Sequence, residues 1–251
     1  MIKNRNRAGR LLALVLALTM LVSALPATAT SKKTPEDVFN QWFALQDKWM
    51  VALEESRFAD DELNGLIEDI YYKSSMGSAF TMLNLAVAGV VFDEIGGDKD
   101  GTYKLEEDFD DAKVTKEEGK YVISFKDGKD SFKVSYSENT GSFHAQCNIT
   151  SDEKMTLYSD IIPTQGGMYT SLVVAVKGEE AVSITQYMRD SLVYFTYTVL
   201  DEKEDPADYR LLKAPDQYGK LKSKNGAAIT LTDSGRLTLE YKEFKEHFQS
   251  K

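Results

Sequence analysis

The chain reads as α+β: about three N-terminal helices packed on a long antiparallel up-and-down β-meander of roughly 9–11 strands, curved or half-barrel in shape. Three observations predict this. Apolar residues recur every second position from Lys120 to Leu200, turn residues punctuate the runs, and helical periodicity precedes them. The expected division is a leader at 1–29 and one exported domain at 30–251. Within that domain lie a helical part at 34–95, a sheet part at 102–241 and a tail at 242–251.

Lys3, Arg5, Arg7 and Arg10 come before an apolar run from Leu11 to Val22, and small residues follow as far as Ala29. A basic start, a short apolar run and small residues before a cut make a secretory signal peptide. Read as an anchor, the run falls short of the roughly 20 residues a spanning helix needs, and no later run is long enough either. The expected destination is therefore secreted, extracellular or cell-envelope associated, in a bacterium. Losing the leader removes four basic residues and no acid, taking the formal charge from −10 to −14. A chain this acidic repels phosphates, which argues against nucleic acid as a partner. Cys147 is the single cysteine, so no intrachain disulfide forms and stability rests on packing.

Thr34-Pro35-Glu36-Asp37 starts the first helix with a hydroxyl cap, proline in the first turn and acids at its positive end. It is expected to run to Phe58. Its stripe includes Phe39, Trp42, Leu45, Trp49 and Leu53, which reads as core in preference to a carbohydrate-stacking face. A second helix follows from Asp60 to Lys73. A third, Ala79 to Phe92, is apolar nearly all round and must be enclosed, with Leu83 and Val87 against Phe132, Val134, Phe143 and Ala145.

Gly96 to Glu107 resembles an EF-hand loop. With Gly101 as the sixth-position glycine, Asp98, Asp100, Thr102 and Glu107 match the third, fifth, seventh and twelfth ligand positions for Ca2+. Gly96 stands where the first acid belongs, so one oxygen and its charge are missing. An ordinary solvated turn before a strand at Tyr103 is the preferred reading, and no cofactor is expected.

Strands are expected to begin near 121, 132, 143, 155, 168, 181 and 193. Phe143, Ala145, Cys147 and Ile149 point one way, while His144, Gln146 and Asn148 point the other. Links such as Glu138-Asn139-Thr140-Gly141 and Gln165-Gly166-Gly167 are too short for parallel crossovers. Beyond the meander, Tyr209 to Leu212 reads as a further strand, 227–231 with 236–241 as a hairpin, and the tail as one helical turn around Phe244 and Phe248.

Catalytic signatures are sparse. Two histidines, His144 and His247, and one cysteine give no metal cluster, and His144 and Cys147 face opposite sides of a strand. Forty acids give a carboxylate-pair mechanism no address. A non-enzymatic binding or interaction protein for an apolar ligand or partner segment is the favoured class, and an extracellular hydrolase the alternative. Helices followed by a long meander are similar, in layout alone, to the half-barrel lipid and lipoprotein carriers of bacterial envelopes, a likeness that implies an apolar cavity. The leader carries a direct test. N-terminal sequencing of protein from culture medium is expected to begin at Thr30, and a retained Leu11–Val22 segment refutes the cut.

Overall fold

The computed structural model describes residues 33–56, 61–95, 99–104, 112–127, 129–150, 154–217, 225–231, 237–241 and 246–249. Residues 1–29, where a leader is expected, and the Asp98 and Glu107 ends of the EF-hand-like loop lie outside them.

Two α-helices precede the sheet among the described residues. In α1, Pro35–Glu55, the Thr34 side chain accepts from the Asp37 N–H at 3.1 Å while Asp37 accepts from the Thr34 N–H at 2.8 Å. This reciprocal cap satisfies two donors that a helix start leaves open. The second and third expected helical stretches form one continuous helix, α2, Asp61–Ile95. The serine- and glycine-bearing joint at 74–78 stays helical, with buried Ser74 held by a hydrogen bond from Gln186 Nε2. Ser75 Oγ donates to Tyr71 O at 2.9 Å and Ser78 Oγ to Ser74 O at 2.8 Å, so these hydroxyls are satisfied within the helix.

The sheet has twelve described strands in sequence order, each antiparallel to the next. They are β1 Gly101–Lys104, β2 Lys113–Glu117, β3 Lys120–Asp127, β4 Asp130–Ser137, β5 Phe143–Ile149, β6 Met155–Thr164, β7 Gly167–Val176, β8 Val182–Arg189, β9 Leu192–Val199, β10 Asn225–Leu231, β11 Leu237–Tyr241 and β12 Glu246–Gln249. The sheet does not close into a barrel. Its two edges are strands of four residues, and short edges limit edge-to-edge association. Two expectations are corrected. Pro206–Tyr209 is a 3-10 helix and Leu211 and Leu212 follow it outside any strand, because Pro206 and the Asp205 cap favour a tight turn. The tail forms β12 on β11, its backbone pairing with an available edge.

Strand alternation gives the sheet a face for the helices. One continuous core joins Val38, Trp42, Trp49 and Leu53 of α1 and Ile67, Ile70, Leu85 and Val91 of α2 to Ile123, Val134, Phe143, Ala145, Leu172, Ile184 and Ile229. Both tryptophans are buried, as a core stripe requires. The side chains of Leu83, Asn84 and Val87 lie outside the description, so the enclosure of α2 is carried by Leu85 and Val91. Near its end Phe92 meets Tyr121 and Tyr136 with ring centroids 5.8 and 6.2 Å apart. Burial raises both phenol pKa values, and negative charges nearby, Glu138 among them, add to the effect.

Polar stitches fix α1 against the strand ends. Trp49 Nε1 donates to Arg189 O at 3.2 Å and Gln41 Nε2 to Gly167 O at 3.3 Å, while the Lys33 N–H donates to Glu138 O at 2.8 Å. Gly141 makes the last contact possible. It sits at φ +71°, and a Cβ there would lie 2.7 Å from Lys33 and 2.9 Å from Val38. Cys147 faces the core as alternation requires but is half-buried, near the rim of the sheet. Burial, then the charge of Asp130, pushes its thiol up to about 11, which suppresses the reactive thiolate.

Leu85→Asp tests the enclosure of α2. It exchanges a buried side chain for an unpaired charge, so a loss of more than about 4 kcal/mol is expected in urea unfolding. A folded variant of near-native stability would mean that this helix face is not core.

Candidate functional site

The face of the sheet opposite the helices carries two polar constellations, one closed and one open. The closed one centres on Asp160, in the middle of β6 and fully buried. Register places His144 of β5 and Ser171 of β7 directly beside it, on the same face. The remaining partners come from the long connection between β9 and β10. After Leu200 the chain crosses back over β6–β9, turning through the 3-10 helix whose Asp205 cap accepts from the Ala207 N–H at 2.9 Å. Tyr209 packs with Val173 and Leu200, and Leu211 and Ala214 pack against the cluster of Ile162, Tyr169 and Tyr194.

This crossing segment delivers Arg210 and the Leu211 N–H to the carboxylate. Oδ1 of Asp160 accepts from Arg210 Nη2 at 2.8 Å and lies 3.0 Å from His144 Nδ1. Oδ2 accepts from the Leu211 N–H at 3.1 Å and from Ser171 Oγ at 3.3 Å. The guanidinium also lies over the Tyr158 ring, 4.8 Å from its centroid. A buried charge is tolerated only when paired and hydrogen-bonded, and each oxygen here has two partners.

A hydrolase could be looked for in the same place. Ser135, His144 and Asp160 are consecutive cross-strand neighbours on β4, β5 and β6, in the order nucleophile, base, acid. The contact that would activate the serine is not made. Ser135 Oγ donates to the backbone carbonyl of His144 at 3.4 Å, away from the imidazole. The acid is shared with Arg210, so the arrangement behaves as a latch for the crossing segment.

The open constellation lies on β2–β5. Lys113, Ser124, Lys133 and Gln146 form one cross-strand row, and Lys126, Ser131 and Asn148 the next. They line a concavity of about 390 Å³. All three lysines are exposed, and none forms an ion pair among the described residues. Asn148 is already engaged, donating to Ser131 Oγ at 3.2 Å and accepting from Thr156 Oγ1 at 3.1 Å. The Gln146 amide has no such partner among the described residues.

Of the EF-hand-like ligand positions, Asp100 and Thr102 are described. Asp100 Oδ2 accepts from the Glu118 N–H at 3.0 Å, and Thr102 is paired with Thr115 in β1. The described part of this loop thus serves as the entry to the sheet, and among the described residues no three side chains group as metal ligands. Sequence reading missed Asp160 and Arg210, which lie 50 positions apart. The available signal was a charged residue in the centre of Tyr158-Ser159-Asp160-Ile161-Ile162, where a strand core disfavours it unless a partner is supplied.

Asp160→Asn leaves the shape but removes the charge facing a guanidinium, and should cost about 3–5 kcal/mol, against about 1 kcal/mol for Ser171→Ala. Amide hydrogen exchange should quicken between residues 200 and 217 in Asp160→Asn while α1 keeps its protection. Equal effects of the two substitutions would refute the latch. No protein-family model, no curated protein and no solved structure matches this chain.

Proposed function

We propose that the protein is exported to the cell envelope or medium and acts there as a non-enzymatic binding protein, with the open groove on β2–β5 as its ligand face. The observation that carries this reading is the groove itself. Three ammonium groups and an amide that are unpaired among the described residues line a concavity whose volume falls in the range of small-ligand sites, about 300–1,000 Å³. An acidic chain has many carboxylates available to neutralise surface lysines, yet none does so here among the described residues. An apolar ligand between helices and sheet has less support, since described core side chains from both layers fill that space. Among the described residues no helix is long and apolar enough to cross a membrane.

The alternative, an extracellular hydrolase, has the His144–Asp160 pair in its favour. Against it stand the missing serine contact and the full engagement of the carboxylate.

Lysine acetylation footprinting separates the two. With a cell-envelope fraction added to the mature protein, Lys113, Lys126 and Lys133 are expected to be protected at least threefold relative to Lys203 and Lys213, which are also exposed. Uniform labelling would refute the binding face. Turnover of a p-nitrophenyl ester panel, lost in His144→Ala, would establish the hydrolase.

A further inference from the structure

We propose that the β2–β5 groove, a local patch of lysines on an otherwise acidic chain, binds an anionic glycan whose sugar units carry carboxylate. The inference rests on the binding-face reading above and names the ligand class. Charge gives the first half of the argument. Lys113 and Lys133 flank Ser124 from neighbouring strands, so their Cα atoms are roughly 10 Å apart at the usual strand spacing, about the span of a disaccharide. Lys126 projects two residues along from Ser124 on the same face. Anions spaced along a chain can therefore meet successive ammonium groups without bending across the sheet.

What lies between the charges gives the second half. Ser124 presents a hydroxyl, and Gln146 presents an amide that can donate to one sugar hydroxyl and accept from its neighbour. Phe132 is the aromatic residue in the wall, and alternation assigns it to the helix-facing side, opposite Cys147. Single-stranded nucleic acids need aromatic platforms for their bases, and protein partners need aromatic or aliphatic anchors. A polyanion whose uncharged atoms are mostly hydroxyls needs neither.

The test is isothermal titration of the mature protein at low salt with polygalacturonate, its fully methyl-esterified form and polyglutamate. Polygalacturonate is expected to bind at least tenfold more tightly than either of the others, and added salt should weaken it. Lys113→Gln combined with Lys133→Gln should weaken that binding about fivefold to tenfold, with Lys203→Gln as the unaffected control. Gln146→Ala should reduce glycan binding while leaving any polyglutamate binding alone. Equal affinity for polyglutamate would overturn the glycan assignment and leave the binding face intact. Glycan binding that survives the double lysine variant would overturn the location. Absence of binding to every probe would overturn the inference, while footprinting against the envelope fraction judges the binding face separately. The substituted lysines are exposed, so an unchanged thermal transition will show that the variants are folded.

Discussion

A charge buried in the centre of a sheet face has to be answered by other charges and donors, and Asp160 imposes that requirement on a large part of this molecule. His144 and Ser171 answer it from the adjoining strands, but the cationic partner, Arg210, arrives only because the β9–β10 connection is long enough to return across the face. Neighbouring antiparallel strands can be joined by two residues, as β8 and β9 are. The far longer link between β9 and β10 has a different purpose. It gives β6–β9 a second cover, so that these strands are buried on both faces while β2–β5 keep one face in solvent.

That division accounts for the burial pattern. In β7, the first seven residues are all buried, whereas in β4 buried positions alternate with more exposed ones. Alternation is the mark of a half-covered strand and continuous burial that of a strand covered twice. The latch and the groove are thus two results of one layout. Beneath the crossing segment both oxygens of the Asp160 carboxylate are taken up, whereas beyond its reach Lys113, Lys126, Lys133 and Gln146 have no side-chain partner among the described residues.

The sequence announced the strands well because each could be recognised locally. Observed starts at Lys120, Asp130, Phe143, Met155, Gly167, Val182 and Leu192 lie within two residues of those expected. β2 was harder to see, since Lys113-Val114-Thr115-Lys116-Glu117 has a single apolar residue, and Lys116 faces inward with its ammonium over the Tyr121 ring. β12 was hidden for the same reason, as Glu246-His247-Phe248-Gln249 carries no pattern and gains its structure from a neighbour. The expected helices stop at Lys73 and start again at Ala79 because serine and glycine at 74–78 have weak helix propensity, whereas a contact from the distant Gln186 to Ser74, invisible in the sequence, accompanies an unbroken helix. The Asp160 latch was illegible because nothing in a sequence states which distant arginine returns to which aspartate. The groove was half legible: the outward set of β5 was foreseen, but its alignment with lysines of β2, β3 and β4 depends on register.

Every strand finds its neighbour next in sequence and α1 finds α2, but the sheet that covers both helices lies far along the chain. The bonds that hold α1 to the sheet join residues 126 positions apart at Gln41–Gly167 and 140 apart at Trp49–Arg189. A chain emerging N-terminus first, from a ribosome or across a membrane, presents its apolar helices long before the strands that will cover them. For that interval the hydrophobic surface of α1 and α2 has only each other as shelter. The sheet can zip hairpin by hairpin as it appears, so the hazardous period in the life of this protein is the wait of the two helices, 21 and 35 residues long, for their other half.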